Sequence, residues 1–389
     1  MNEGKRMYAD LMNLLFPMLP SKIYHDVRRV QTLAWALVGI CMTQTVRLGA
    51  WAEVVDSRAQ LASSRVRRFA RWLHQGAISP QQWYEPLVLQ ALRDWKLPRR
   101  VYVALDTTAL TPFVLIRASL IYEGRAIPLA WRAIRQASTK VSFEDYQPVL
   151  EQVRTLLPAH LIVTLLADRG FVHAQLVRYT HDHDWHFRIR LTGKIQVHQE
   201  GHPVCLVKQL CPAVGEARCL HNVRLLGQAL GPVHLVLACP ADHPDDPWLL
   251  ASDEPTDLST LDEYALRFDI EETFLDEKSG GFQLESSELA CPEALERLML
   301  IVALAPVHFL STGLRVVRAK LRRWVDTHWD RGLSYFKIGW RWLRQHYRRQ
   351  WPSFPSFWID PSPDRVPVSA SRRKLAAKRE RQWVTGPSG

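Results

Sequence analysis

The chain has 389 residues, enough for two or three domains and a sizeable core, and its 47% hydrophobic content is that of an ordinary globular protein. The net charge of +11 is unevenly placed: residues 312–389 hold 18 Lys/Arg against 5 Asp/Glu, residues 1–98 hold 13 against 7, and residues 99–311 hold 19 against 27. Six cysteines without a CxxC pair argue against a zinc ribbon, and Asp10 and Asn13 interrupt the apolar start, so a signal peptide is not expected and the reading is a reduced, cytosolic chain.

Residues 22–96 read as helices. "VRRVQTLAWALVGICMT" has helical periodicity, and "SSRVRRFARWLHQG" runs from a Ser63 or Ser64 cap to Gly76. In the latter, Arg65, Arg67, Arg68 and Arg71 surround Phe69, Trp72 and Leu73. That is the pattern of a helix laid on DNA, or of a solvated surface helix. After Pro98 the period changes. "RVYVALDTTAL" is a strand, and "FVLIRASLIYEGRAIPLAWRAI" is a hairpin turning at Glu123-Gly124. "EDYQPVLEQVRTLL" is an amphipathic helix, "HLIVTLLADRGF" a buried strand, "VHAQLVRYTHDHD" a short helix and "WHFRIRLT" a strand. The order is β-β-β-α-β-α-β. Residues 192–250 hold short strand-like runs. The apolar run 295–310 contains Pro306 and His308, is too short for a bilayer span, and reads as a buried helix. The tail is rich in Arg and Trp. Tryptophans 324, 329, 340, 342, 351 and 358 read as packing a small helical region, with stacking on bases as the alternative, and the end of the tail is expected to be disordered without a partner.

Three acids stand out by position. Asp106 interrupts an apolar strand, Asp168 closes another, and Glu271 lies in "YALRFDIEETFLDEKSGG". On one helix, Tyr264, Arg267, Glu271 and Lys278 fall within a wedge of about 60°, over about 21 Å from first to last. Singly, each acid has a structural reading: a turn at Asp106, an Asp168–Arg169 pair, a Glu271–Arg267 pair. Together they suit one metal site, because a charge beside buried strands is costly unless paired or metal-bound. The alternative glutamate, Glu272, is rotated about 100° from the wedge. "HDHDWH" (181–186) reads as a polar helix end rather than a metal cluster.

The element order resembles the ribonuclease H fold. The spacing Y-x2-R-x3-E-x6-K resembles the signature of DDE transposases of bacterial insertion sequences, in insertion sequence family four. "WLLASDEP" (248–255) and "ADRGF" (167–171) are similar to further motifs of that family. The resemblance implies an α/β chain with a ribonuclease H-like core in two parts (98–191 and 251–311) around a β-strand-rich insertion (192–250). A helical DNA-binding domain (1–97) would precede it and a basic region (312–389) follow. It implies that Asp106, Asp168 and Glu271 hold two Mg2+ or Mn2+ ions, and that Tyr264, Arg267 and Lys278 contact DNA phosphates. Trp248 would stack on a flipped base, unless it is a core tryptophan. The implied activity is cut-and-paste transposition through a hairpin. Its partners would be double-stranded DNA of terminal inverted repeats and target, met by a homodimer on the bacterial nucleoid, with no membrane. The other readings are a DNA-binding relative without activity, and a nuclease that does not join DNA.

Overall fold

A computed structural model of the chain describes residues 2–226, 229–275, 282–329 and 331–363, and a two-residue strand at 384–385. The first part is helical: α1 (Glu3–Leu15), α2 (Ser21–Tyr24), α3 (Val27–Thr43), α4 (Leu48–Val54), α5 (Ala62–Leu73) and α6 (Pro80–Ala91). Helix α5 starts one residue before the serines expected to cap it, and Leu61 at its N-cap makes no side-chain cap bond. Strands β1 (Arg100–Leu110), β2 (Phe113–Tyr122) and β3 (Arg125–Arg135) follow. The β2–β3 turn uses Glu123 and Gly124 at φ 50° and 76°, the paired positive φ values of a tight hairpin turn. Helix α7 (Phe143–Leu156) leads to β4 (Ile162–Ala167), and α8 (Ala174–Asp182) to β5 (His186–Arg190).

Strand order β3-β2-β1-β4-β5, with β1–β3 antiparallel and β1, β4 and β5 parallel, is the ribonuclease H-like arrangement. The β-rich insertion continues the same sheet. Strands β6 (Gln196–His198), β7 (Cys205–Leu206), β8 (Glu216–Leu225), β9 (Leu230–Ala238) and β10 (Trp248–Ser252) extend it in the order β5-β10-β9-β8-β6-β7. Residues 384–385 form β11 on β8.

The two faces of the sheet differ. One packs into a core shared with the N-terminal helices, α7 and α11 (Pro292–Arg318). Helix α11 is 27 residues long, longer than the apolar run in the sequence suggested and long enough to cross a bilayer. Within its most apolar window 83% of residues are buried, against α3, α5, α6, α12 (Tyr335–Arg349) and β3. Glycines let α11 and α12 cross closely: a Cβ on Gly339 would stand 1.8 Å from the Phe309 carbonyl oxygen.

The other face is covered by α9 (Leu258–Ala265) and α10 (Phe268–Leu275). Here the single helix expected from Tyr264 to Lys278 is broken at Leu266–Arg267. The cause is packing. Leu261 and Tyr264 of α9 sit on Val236, Ala238 and Leu250, whereas Ile270 of α10 sits on Ala104, Ala126 and Leu166. These patches belong to different strands of a twisted sheet, so no straight helix can cover both. Between them the backbone tightens to three-residue bonds, from Arg267 N–H to the Tyr264 carbonyl (2.9 Å) and from Ile270 N–H to the Arg267 carbonyl (3.0 Å).

Candidate active site

Strands β1 and β4 run side by side, with Leu105 opposite Ala167 as their last paired residues. The next residues are Asp106 and Asp168. Side chains alternate between faces along a strand. Ala104 and Leu166, two residues back, are on the α10 face, so both carboxylates point there too. The topology thus brings together two acids 62 positions apart. One Asp106 oxygen accepts from Thr107 N–H at 2.8 Å, and the other lies 3.2 Å from Arg267 Nη1. The Asp168 Oδ1 is buried without a hydrogen-bond partner among the described residues. An orphaned, acceptor-only oxygen beside a second carboxylate is a hard-donor set that fits a divalent cation. The third expected acid, Glu271, belongs to α10, which crosses β1, β2 and β3. Its side chain, that of Glu272 and all of Lys278 lie outside the described residues.

Tyr264 and Arg267 are not on an exposed helical stripe. Tyr264 is fully buried and Arg267 is 4% exposed. The three-residue bonding stacks them, so Arg267 Nε donates to the Tyr264 hydroxyl at 3.1 Å while its Nη1 reaches Asp106. Burial, with the Asp168 carboxylate adding to it and Arg267 opposing, pushes the Tyr264 phenol up to about 12. It is therefore a neutral hydroxyl at neutral pH. Trp248, half-buried at the start of β10, packs edge-on to Tyr264 (5.9 Å, 76°) and tilted against Phe268 (5.8 Å). It ties the insertion to the helix pair and stays partly accessible to solvent. Sequence reasoning missed Arg117, the cross-strand partner of Asp106 on β2, which is fully buried on the same face. Only the strand register reveals it, since in the sequence it is one charge in an apolar run.

Six residues up β1, about 20 Å away, the same face carries a second charged cluster. Arg100 donates to both oxygens of Glu254 at 2.8 and 2.7 Å. Arg188, 4% exposed, donates to Glu254, Glu263 and Ser252, and the Tyr102 hydroxyl donates to Glu263 at 2.9 Å. Burial works to raise the Glu254 carboxyl, but the bonds from Arg100 and Arg188 outweigh it and hold it at about 2. Asp253 takes Phe187 N–H and pairs with His186 Nδ1 at 2.7 Å. His186, Asp253 and Glu254 could meet one metal ion by spacing. Both carboxylates already accept hydrogen bonds, Glu254 from Arg100 and Arg188 and Asp253 from His186 and the Phe187 N–H, and two guanidiniums stand beside them, so the cluster reads as a clamp rather than a cation site. It fastens the "SDEP" turn and α9 to the sheet.

The four arginines of α5 divide. Arg67 and Arg71 are exposed, whereas Arg68 donates to Thr32 Oγ1 at 3.1 Å and Arg65 is half-buried. In "HDHDWH", His183 turns back onto the Tyr179 carbonyl at the end of α8.

A family model described as "Transposase DDE domain" matches residues 143–306. That range takes in Asp168, α9 and α10, but not Asp106. No curated protein matches the chain. Among solved structures, the chain is similar to a cryo-EM structure of a piggyBac transposase synaptic complex with hairpin DNA. The identity is 11%, with 97% of this chain and 90% of that chain covered and a TM-score of 0.44.

Proposed function

We propose that the protein is a cut-and-paste DNA transposase of the DDE type. The observation that carries the reading is the pair Asp106 and Asp168, adjacent at the ends of two parallel strands beneath the helix that bears Glu271. The transposase-domain match over residues 143–306 supports it. Asp106, Asp168 and Glu271 would hold two Mg2+ or Mn2+ ions, which when bound supply positive charge for the attacking and leaving oxygens of a phosphodiester. Water hydrolyses one strand at each transposon end. The freed 3′-OH attacks the opposite strand to give a hairpin, a second water opens it, and the same 3′-OH attacks target DNA.

The chain's own residues position and hold. Arg267, braced by the Tyr264 hydroxyl, orients Asp106. Exposed Arg67 and Arg71 and the C-terminal region grip phosphates, and Lys278 is a further candidate. Two ends must meet, so a homodimer assembles on terminal repeats. The test is a joining assay with a pre-cleaved 3′ end in Mg2+. Joined product is expected, and its absence alongside efficient cutting would make the protein a nuclease that does not join DNA.

A further inference from the structure

The tail tryptophans separate by exposure. Trp342 and Trp358 are buried, and Trp351 packs on Trp342. Trp324 is 52% exposed but stacks on Trp342 at 5.6 Å. Trp329 is different. It is 81% exposed, and the ring contact it makes among the described residues is with the Arg323 guanidinium, 5.0 Å from its centroid. An indole left in water is unusual, because no other side chain offers so much apolar surface.

The loop that carries it is not slack. Asp326, fully buried, accepts from Arg322 Nη1 (3.0 Å), His328 Nδ1 (2.7 Å), His328 N–H (3.1 Å) and Gly332 N–H (2.9 Å). Arg322 also donates to the carbonyls of His328 and Trp329, at 3.1 and 2.6 Å. The turn closes so tightly that a Cβ on Gly332 would fall 2.1 Å from His328 Nδ1. A buried carboxylate and an arginine thus fix the backbone on which an unpacked tryptophan stands. Arg323 beside the ring is open to solvent, and so are Arg318 and Lys320 just before it in the chain.

We propose that Trp329 is a stacking platform for a DNA base that has left the double helix, with Arg323 and its neighbours holding the adjoining phosphates. A ring with an open face can take only a base whose own face is free, which a paired base in a duplex does not offer. Charge complementarity selects a polyanion over an apolar protein surface. The proposal rests on the DNA-binding part of the proposed function. The contact is separate from the acid pair. Arg331 of the same loop lies 4.0 Å from Glu123 at the β2–β3 turn, six residues along β2 from the partner of Asp106, or about 20 Å.

The test measures affinity of the full-length protein for a labelled oligothymidylate and for a duplex of equal length, by fluorescence anisotropy over a salt series. Trp329→Ala is expected to weaken single-strand binding about 5- to 150-fold, the equivalent of roughly 1–3 kcal/mol per stacked base, with the salt slope unchanged. Trp329→Phe should keep most of the affinity, and Arg323→Ala should flatten the slope by about one ion. Asp326→Asn, which loosens the loop and leaves the indole, should lose part of the single-strand affinity. Equal affinities for wild type and Trp329→Ala, or an equal loss on duplex and single strand, would overturn the proposal while leaving DNA binding intact. A wild-type chain that binds neither DNA would remove the proposed function itself.

Discussion

The two ends of β1 place acids beside arginines on the same face of the same sheet, and their hydrogen bonding differs. At the upstream end every carboxylate is answered: Glu254 by Arg100 and Arg188, Glu263 by Arg188 and Tyr102, Asp253 by His186 and a backbone N–H. At the downstream end Asp106 is held by Arg267, and the Asp168 Oδ1 is buried without a partner among the described residues. Burial and charge alone do not separate a clamp from the metal-binding centre proposed for Asp106 and Asp168. What separates them is whether each lone pair already has a donor, because an unmet buried acceptor costs about 1–3 kcal/mol and persists where another group is meant to meet it.

The largest expected effect is on Asp168. Asp168→Asn should lower DNA cleavage in Mg2+ at least about 1,000-fold, some 4 kcal/mol in the barrier, with the denaturation midpoint unchanged or raised. A gel assay beside a chemical melt reads both. A loss of stability matching the loss of activity would place Asp168 among the clamps and end the distinction between the two ends. Arg188→Ala should do the reverse. It leaves half-buried Glu254 with Arg100 alone and half-buried Glu263 with the Tyr102 hydroxyl, and should cost about 1.5–3 kcal/mol of stability, the range for lost hydrogen bonds to charged groups. If instead cleavage vanished while the melt stayed put, the upstream end would be a second functional centre.

Trp248→Ala sharpens the boundary between the ends, because its indole leans on Tyr264 and Phe268, the route from the insertion to Arg267. A loss of about 1–3 kcal/mol is expected, below the roughly 3–5 of a fully buried aromatic. A gel time course separates nicked from hairpin DNA. Slower hairpin formation with normal nicking and normal stability would show that its accessible part works on a base rather than on packing.

The smallest effect is the pH dependence of the clamp. The Glu254 carboxyl is depressed from 4.5 to about 2 in the folded chain. Its contribution is therefore complete above the unfolded value and is lost as pH falls through the folded one. Stability should decline between about pH 4.5 and 2, and Glu254→Gln should make that decline shallower in acid titrations followed by circular dichroism. An identical slope in the variant would mean that the arginine contacts do not favour the ionised form.

The sequence by itself determined the elements whose signals are local. The alternating strand at 100–110, the two apolar runs of the hairpin and their Glu-Gly turn, the buried strand before Asp168 and the position of both aspartates were readable there, since alternation, apolar runs and turn chemistry are local to each segment. It also marked Glu271, Tyr264 and Arg267 as one group. Tertiary structure alone decided how that group is used. Helical spacing over 264–278 predicts one wedge, yet two separate patches on a twisted sheet pull α9 and α10 apart, burying Tyr264 and turning Arg267 onto Asp106. Arg117 becomes the neighbour of Asp106 only through strand register, and Trp329 differs from Trp342 only in what lies over it. Spacing reports which residues share a face of one element. Which lone pair is met, and which ring is covered, depends on elements far along the chain.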